Sequence, residues 1–144
     1  MVTAIYRTSK EDLNEEDGLT GSCNLAIVGG FYNGTLQIIY LNDVKASGTL
    51  RLPFSTVTAL AYSEEYNYLY VGDSRGKLGV YKLHIVHPFS PAKELELTEK
   101  FYQQAHDLKI NNISINKSAN LFLTASQDGT VKMFNLYSRR ILLI

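Results

Sequence analysis

His106, Ser126 and Asp128 are the residue types of a hydrolytic triad, in which a carboxylate orients an imidazole and the imidazole activates a hydroxyl. Thr124 and Asp128 stand two residues before and after Ser126, so the Gly-x-Ser-x-Gly elbow that presents such a nucleophile does not surround it. No glycine-rich phosphate loop accompanies these residues either. His84 and His87 stand three apart and could share a metal ion, but no cysteine or pair of carboxylates lies close in sequence to complete a site. The sequence therefore assigns no catalytic residue, no metal ligand and no cofactor, and an enzyme is not expected. A third concentration of charge is Glu11, Asp12, Glu15, Glu16 and Asp17, opposed locally by Lys10 alone, which would favour a basic partner segment.

The chain that must position these groups has 144 residues, the length of one domain, and is 45% hydrophobic and 19% charged, which is enough apolar content for a core. Fourteen Lys and Arg balance fourteen Asp and Glu. A net charge of zero gives no general attraction to nucleic acid or to an anionic membrane, so neither is expected as a partner. The apolar runs, such as Ile38 to Leu41 and Ile141 to Ile144, are too short to span a bilayer. The first residues lack the basic-then-apolar order of a secretion signal, and the single Cys23 has no intrachain partner. An intracellular, cytoplasmic setting is the expectation.

β-Branched and aromatic residues recur in short runs bounded by turn residues, which reads as all-β. The expected strands are Thr3 to Arg7, Asn24 to Gly30, Thr35 to Leu41, Thr49 to Leu52, Val57 to Tyr62 and Tyr68 to Gly72. Six more follow at Lys77 to Leu83, Glu94 to Phe101, Asn112 to Ile115, Leu121 to Ala125, Thr130 to Leu136 and Arg140 to Leu143. An internal repeat underlies them. Val57 to Leu83 aligns without a gap on Ile110 to Leu136 at an offset of 53, with Leu69 on Phe122, Gly76 on Gly129, Val80 on Met133 and Tyr81 on Phe134. A third copy lies upstream: Asn33-Gly34-Thr35-Leu36 repeats Asp128-Gly129-Thr130-Val131, and Val2-Thr3-Ala4-Ile5 echoes Val57-Thr58-Ala59-Leu60. The Asn-Gly and Asp-Gly pairs supply the positive φ of a two-residue hairpin turn.

Four-stranded units with a Ser-x-Asp-Gly-Thr-Val-Lys turn resemble the WD40 repeat of β-propellers. Ala105-His106 stands where that family has Gly-His, and Phe134-Asn135 where it has Trp-Asp. The resemblance implies three blades, at about 2–52, 57–102 and 110–144, forming one propeller segment. It also implies a structural hydrogen-bonded set, here His106, Asp128 and either Thr124 or Ser126. Phe134 has no N–H with which to complete that set. The first two units lack its histidine and are expected to rely on apolar packing. The paired arginines of a phosphoinositide-binding propeller family need an aromatic residue or leucine before them and a glycine after; Ser138 and Ile141 flank Arg139-Arg140, so headgroup binding is not expected. Tyr70 to Gly76 is similar to a blade of the C-terminal propeller of BEACH-type trafficking scaffolds, an alternative within the same class.

The resemblance implies a binding platform for protein partners rather than a catalyst. Three blades fall short of the roughly four to eight that close a propeller, so further blades of a longer chain, another chain or self-association are expected to cover the open blade faces. Strand alternation puts two long connections on one end of adjacent blades: Ser9 to Ser22, with the acidic residues above, and His84 to Lys93, with His84, His87, Pro88 and Phe89. That end is the expected contact surface. The tyrosines at 62, 66, 68, 70 and 81 are expected in core packing, the even-numbered ones together on one face.

Overall fold

The computed structural model describes residues 2–7, 24–29, 32–40, 48–63, 66–86, 94–136 and 141–143. The first sheet comprises β1 (Val2–Arg7), β2 (Asn24–Gly29), β3 (Thr35–Tyr40) and β4 (Gly48–Arg51). The second comprises β5 (Val57–Ser63), β6 (Tyr68–Asp73), β7 (Lys77–Val86) and β8 (Glu94–Gln104). The third comprises β9 (Ile110–Asn116), β10 (Leu121–Ser126), β11 (Val131–Asn135) and β12 (Ile141–Leu143). Each sheet is antiparallel with its strands in chain order. The chain is thus all-β, and no described helix is long and apolar enough to cross a membrane.

The three sheets stand side by side, with β5 lying against both β1 and β9. Thr58 fastens two of these inner strands, its hydroxyl donating to the Ile110 carbonyl at 2.6 Å. Two apolar layers fill the gaps. Leu36 and Ile38 of the first sheet pack on Leu60, Leu69, Val71 and Leu83 of the second. On the far side of the second sheet, Tyr70, Leu78 and Val80 pack on Ile113, Phe122 and Phe134 of the third. Alternation along β6 explains how one sheet serves both layers: Leu69 and Val71 point one way, Tyr70 the other.

The repeat is written into the backbone. Asn67 and Asn120 both adopt φ 54° at the turn between the first two strands of their sheets. Leu83 donates its N–H to the Asn67 carbonyl at 2.8 Å, and Leu136 repeats this on Asn120 at 2.9 Å. Ser74 donates to Thr56 at 2.8 Å, as Gln127 does to Lys109 at 2.9 Å. Gly76 and Gly129 close the next turn at φ 85° and 86°, a conformation that only glycine adopts without strain. Gly76 has a second constraint, since a Cβ there would fall within 3.0 Å of the His106 and Leu108 carbonyl oxygens.

Four expectations change. His84 is not in a loop: β7 continues to Val86, and His84 is exposed and faces Glu96 across the ladder. The cross-strand bonds between β7 and β8 carry the hairpin beyond the end of β6, because long, β-prone sequence on both sides favours continued pairing. The even-numbered tyrosines divide, with Tyr62 against the first core layer and Tyr68 and Tyr70 in the second, because Tyr62 and Tyr70 lie on different strands with independent phase. The echo in β1 shifts by two residues. Ile5 pairs with Ala26 and Ala26 with Ile39, whereas Tyr62 pairs with Leu69 and Leu69 with Tyr81; Ile39 and Tyr81 each stand five residues after a turn glycine, so Ile5 occupies the position of Tyr62 rather than Leu60. The fourth concerns the polar groups between the sheets.

Candidate functional site

Each link from one sheet to the next is tied to the glycine turn it passes. Ala105 and His106 donate their N–H groups to the Gly76 carbonyl, both at 3.0 Å. That anchorage places the His106 ring, 3% exposed, between the ends of β10 and β11. Thr124 lies 2.6 Å from Nε2, while Thr130 Oγ1 and Asp128 Oδ2 lie 2.9 and 3.2 Å from Nδ1. The Thr130 hydroxyl donates to Asp128 Oδ1 at 2.5 Å, so its oxygen is left to accept from His106. The network therefore assigns the ring proton to Nδ1, with Nε2 accepting from the Thr124 hydroxyl. Asp128 also accepts the N–H groups of Thr130 at 2.8 Å and Asp107 at 3.1 Å. Lys132 completes the corner by donating its ammonium to the Ala105 carbonyl.

Of the four residues in the structural set, His106, Thr124 and Asp128 come together and Ser126 does another job. The Ser126 hydroxyl donates to the carbonyls of Lys109 and Leu108 at 2.9 and 3.2 Å and accepts the Asp128 N–H at 3.1 Å. Its proton is directed at backbone rather than at His106, which is the wrong arrangement for a nucleophile. Sequence reasoning missed Thr130 and Lys132, although the Asp-Gly-Thr-Val-Lys run contained both. Phe134, lacking an N–H, stacks on Phe122 with centroids 4.8 Å apart and an interplanar angle of 6°. Phe101 meets Phe134 edge-on at 6.3 Å, and Tyr70 lies 4.8 Å from Phe122. The aromatic group thus joins second sheet to third where a polar bond is absent.

Burial sets the ionisation of this corner. Desolvation pushes the His106 pKa below its usual 6.5, against the pull of the adjacent Asp128 carboxylate. The Thr130 hydroxyl, followed by the Thr130 and Asp107 amides and the His106 ring, holds Asp128 well below the ordinary carboxylate range. A depressed imidazole pKa contributes stability above the unfolded value near 6.5, and that contribution is lost as pH falls below it. We expect the His106 ring protons to titrate by NMR with a midpoint under 6.5, and unfolding midpoints to fall as pH drops from 7 toward 5. A His106 midpoint above 6.5 would contradict the buried neutral ring.

The second sheet is where apolar packing alone was expected, and there the structure corrects the reading. Asp73, 1% exposed, accepts four hydrogen bonds. Ser55 gives its N–H and its hydroxyl to Oδ2, both at 3.1 Å, and Arg75 and Lys77 give their N–H groups to Oδ1 at 2.9 and 2.8 Å. The Ser55 carbonyl in turn accepts the Gly34 N–H at 2.5 Å, which ties this link to the first sheet's turn. The offset of 53 places Asp73 on Ser126 and Arg75 on Asp128, so the carboxylate has moved two residues back along the turn. A search for the histidine pattern cannot find it, since three of its four donors are backbone amides and the fourth is the Ser55 hydroxyl. Gly72-Asp73-Ser74-Arg75-Gly76 even has the spacing of a nucleophile elbow, but it joins two strands, and the Ser74 hydroxyl lies 3.0 Å from that of Ser55 rather than against an imidazole. This is also the segment behind the trafficking-scaffold resemblance.

The expected contact loops are only partly on view. Glu11, Asp12, Glu15, Glu16, Asp17, His87, Pro88 and Phe89 lie outside the described residues. Among the described residues no group of three or more His, Cys, Asp or Glu could hold a metal ion.

Comparison with known proteins adds a match over one stretch of the chain. Residues 97–135 match the model of the WD domain, G-beta repeat (WD40), a span that begins on β8 and ends with β11. No curated protein matches the sequence. A solved structure described as the crystal structure of mitotic checkpoint complex contains a chain that superposes with a TM-score of 0.61 at 17% identity, over 82% of this chain and 34% of that one. This chain thus spans about a third of that chain's length, and at such identity the likeness is one of fold. Matches to 197 chains of known structure make the same point, because a fold so widely shared specifies no single activity.

Proposed function

From the premise that the chain carries a WD40 repeat within a partial WD40 propeller, we propose that it is a non-catalytic platform for protein partners. The observation that supports this is the pair of polar junctions. The link before the second blade is tied to the Gly34 turn behind it and to Asp73 ahead, and the link before the third to Gly76 behind and to Thr124, Asp128 and Thr130 ahead. Such links resist hinging, so loops carried by adjacent blades keep fixed relative positions and a partner meets a preorganised surface. The groups that resemble catalytic machinery are engaged in these junctions. An intracellular setting, argued from the single cysteine, is part of the same reading.

The partner face, on this proposal, is the end bearing the Ser9 to Ser22 and β7–β8 connections, where Glu11, Asp12, Glu15, Glu16 and Asp17 would receive a basic segment. His84 contributes from the β7 ladder instead of from a loop, beside Glu96, and His87, Pro88 and Phe89 from the connection that follows. Reversing Glu11, Glu15 and Glu16 to lysine is expected to abolish capture of salt-sensitive partners from cell extract while leaving the unfolding midpoint unchanged. Recovery of every partner by the variant would remove the acidic segment from the contact surface.

A further inference from the structure

Among the described residues two large apolar side chains stand in solvent, Val131 at 54% and Leu108 at 48% exposed. Val131 lies two residues after the turn glycine Gly129, where Leu36 and Leu78, two after Gly34 and Gly76, are 0% exposed. It points away from Phe134 and so away from the second sheet. Leu108 differs, because it sits in the link between the second and third sheets and stays outside both. The repeat does not ask for an apolar residue there. At the offset of 53 Leu108 falls on Ser55, whose hydroxyl serves Asp73, and the apolar residue of that earlier link is Phe54, buried against Tyr81 and Tyr102.

The backbone that presents Leu108 is fixed. The Ser126 hydroxyl donates to the Leu108 and Lys109 carbonyls at 3.2 and 2.9 Å, and the Gln127 N–H donates to Lys109 at 2.9 Å. Gln104 Nε2 joins the link to the preceding turn by donating to the Arg75 and His106 carbonyls at 2.5 and 2.6 Å. A Cβ on Gly76, the residue after Arg75, would fall 2.8 Å from the Leu108 carbonyl oxygen, so turn and link are in contact. Arg75 and Lys109 are both exposed, and neither meets a carboxylate within ion-pair distance among the described residues. Asp73 and Asp128 are taken up by the donors of the two junctions, which leaves Asp107 as the exposed carboxylate beside this pair of cations.

We propose that Arg75, Leu108 and Lys109 form a docking surface for an extended acidic partner segment that carries an apolar side chain among its carboxylates. This goes beyond the platform reading, which sets a basic segment on the acidic connection at the other end of the blades. Leu108 would cover the apolar side chain, and removing both from water supplies affinity without direction. The two cations supply the direction, since they attract carboxylates and reject a basic sequence. With the backbone already held by both junctions, the surface loses little freedom on binding.

Titration of the isotope-labelled chain with a synthetic peptide of glutamates around a single leucine, followed by amide NMR shifts, tests this. Shifts are expected to concentrate at Arg75, Gln104 to Lys109 and Gln127, and to weaken as salt is added. Leu108→Ser and Arg75→Glu are each expected to weaken binding about tenfold, and Asp107→Asn to tighten it about threefold. All three side chains are exposed, so the circular dichroism spectrum should not change; Leu108→Ala and Arg75→Ala serve if it does. Absence of shifts at these residues, an equal response to a peptide with lysine in place of glutamate, or binding indifferent to the Leu108 and Arg75 substitutions would overturn the proposal. Each of those results leaves the platform reading in place, because that is judged by partner capture with the acidic segment reversed.

Discussion

Asp73→Ala is expected to lower the stability of the chain by about 4 kcal/mol, read from the urea midpoint. The side chain is 1% exposed and accepts four bonds, three of them from backbone amides. Bonds to an ionised acceptor contribute about 1.5 to 3 kcal/mol each, and stranding buried donors adds a desolvation cost, though terms that share one carboxylate do not sum. Asp73→Asn separates charge from shape. An amide has one carbonyl oxygen for two donor pairs, so either the Ser55 pair or the Arg75 and Lys77 amides must face an NH2 group, and we expect most of the alanine loss to remain. A loss below about 1 kcal/mol for Asp73→Ala would mean that the second blade holds by apolar packing after all.

Phe122→Ala is expected to cost about 4 kcal/mol, and Phe134→Ala a similar amount. Both rings are 0% exposed, each would leave a cavity, and the surrounding residues come from two sheets that can collapse only by moving together. The two rings stack at 4.8 Å, so the effects will not add: a double-mutant cycle should show a coupling of about 1 kcal/mol. Phe122 also meets Tyr70 of the second blade, which predicts that its loss loosens the blade interface as well as the third blade itself. Near-ultraviolet circular dichroism, which reports the Tyr70 and Phe122 environment, should weaken in Phe122→Ala at temperatures where far-ultraviolet signal persists. Additive losses would place the two rings in independent environments.

Much of this architecture was legible in the residues. The offset of 53 survived as equivalent hydrogen bonds at Asn67 and Asn120, because a gapless repeat preserves turn geometry along with hydrophobic phase. All twelve strands were placed, most within a residue or two, since turn residues bound them on both sides. The ends that moved most were those of β7 and β8, where β-prone sequence carries no stop signal. The polar corner of the third blade was legible as a resemblance, but the choice between Thr124 and Ser126 was not. Both hydroxyls lie on the same side of β10, and only the position of His106, fixed by its bond to the distant Gly76 carbonyl, decides which one the ring reaches.

By itself the sequence determined what short-range periodicity and turn chemistry can specify: an all-β chain, three repeats of four strands, and glycine at the turn before the third strand of each. What only the tertiary structure decided are relations between residues far apart in the chain. Asp73 was one acidic residue among fourteen Asp and Glu until the link at Ser55 was brought to it from eighteen positions away. Val131 was one more strand valine until Leu36 and Leu78 were seen covered at the equivalent positions while it was not. Periodicity says which side of a strand is apolar, but whether a neighbour covers that side depends on how the sheets are arranged in space, which no local pattern encodes.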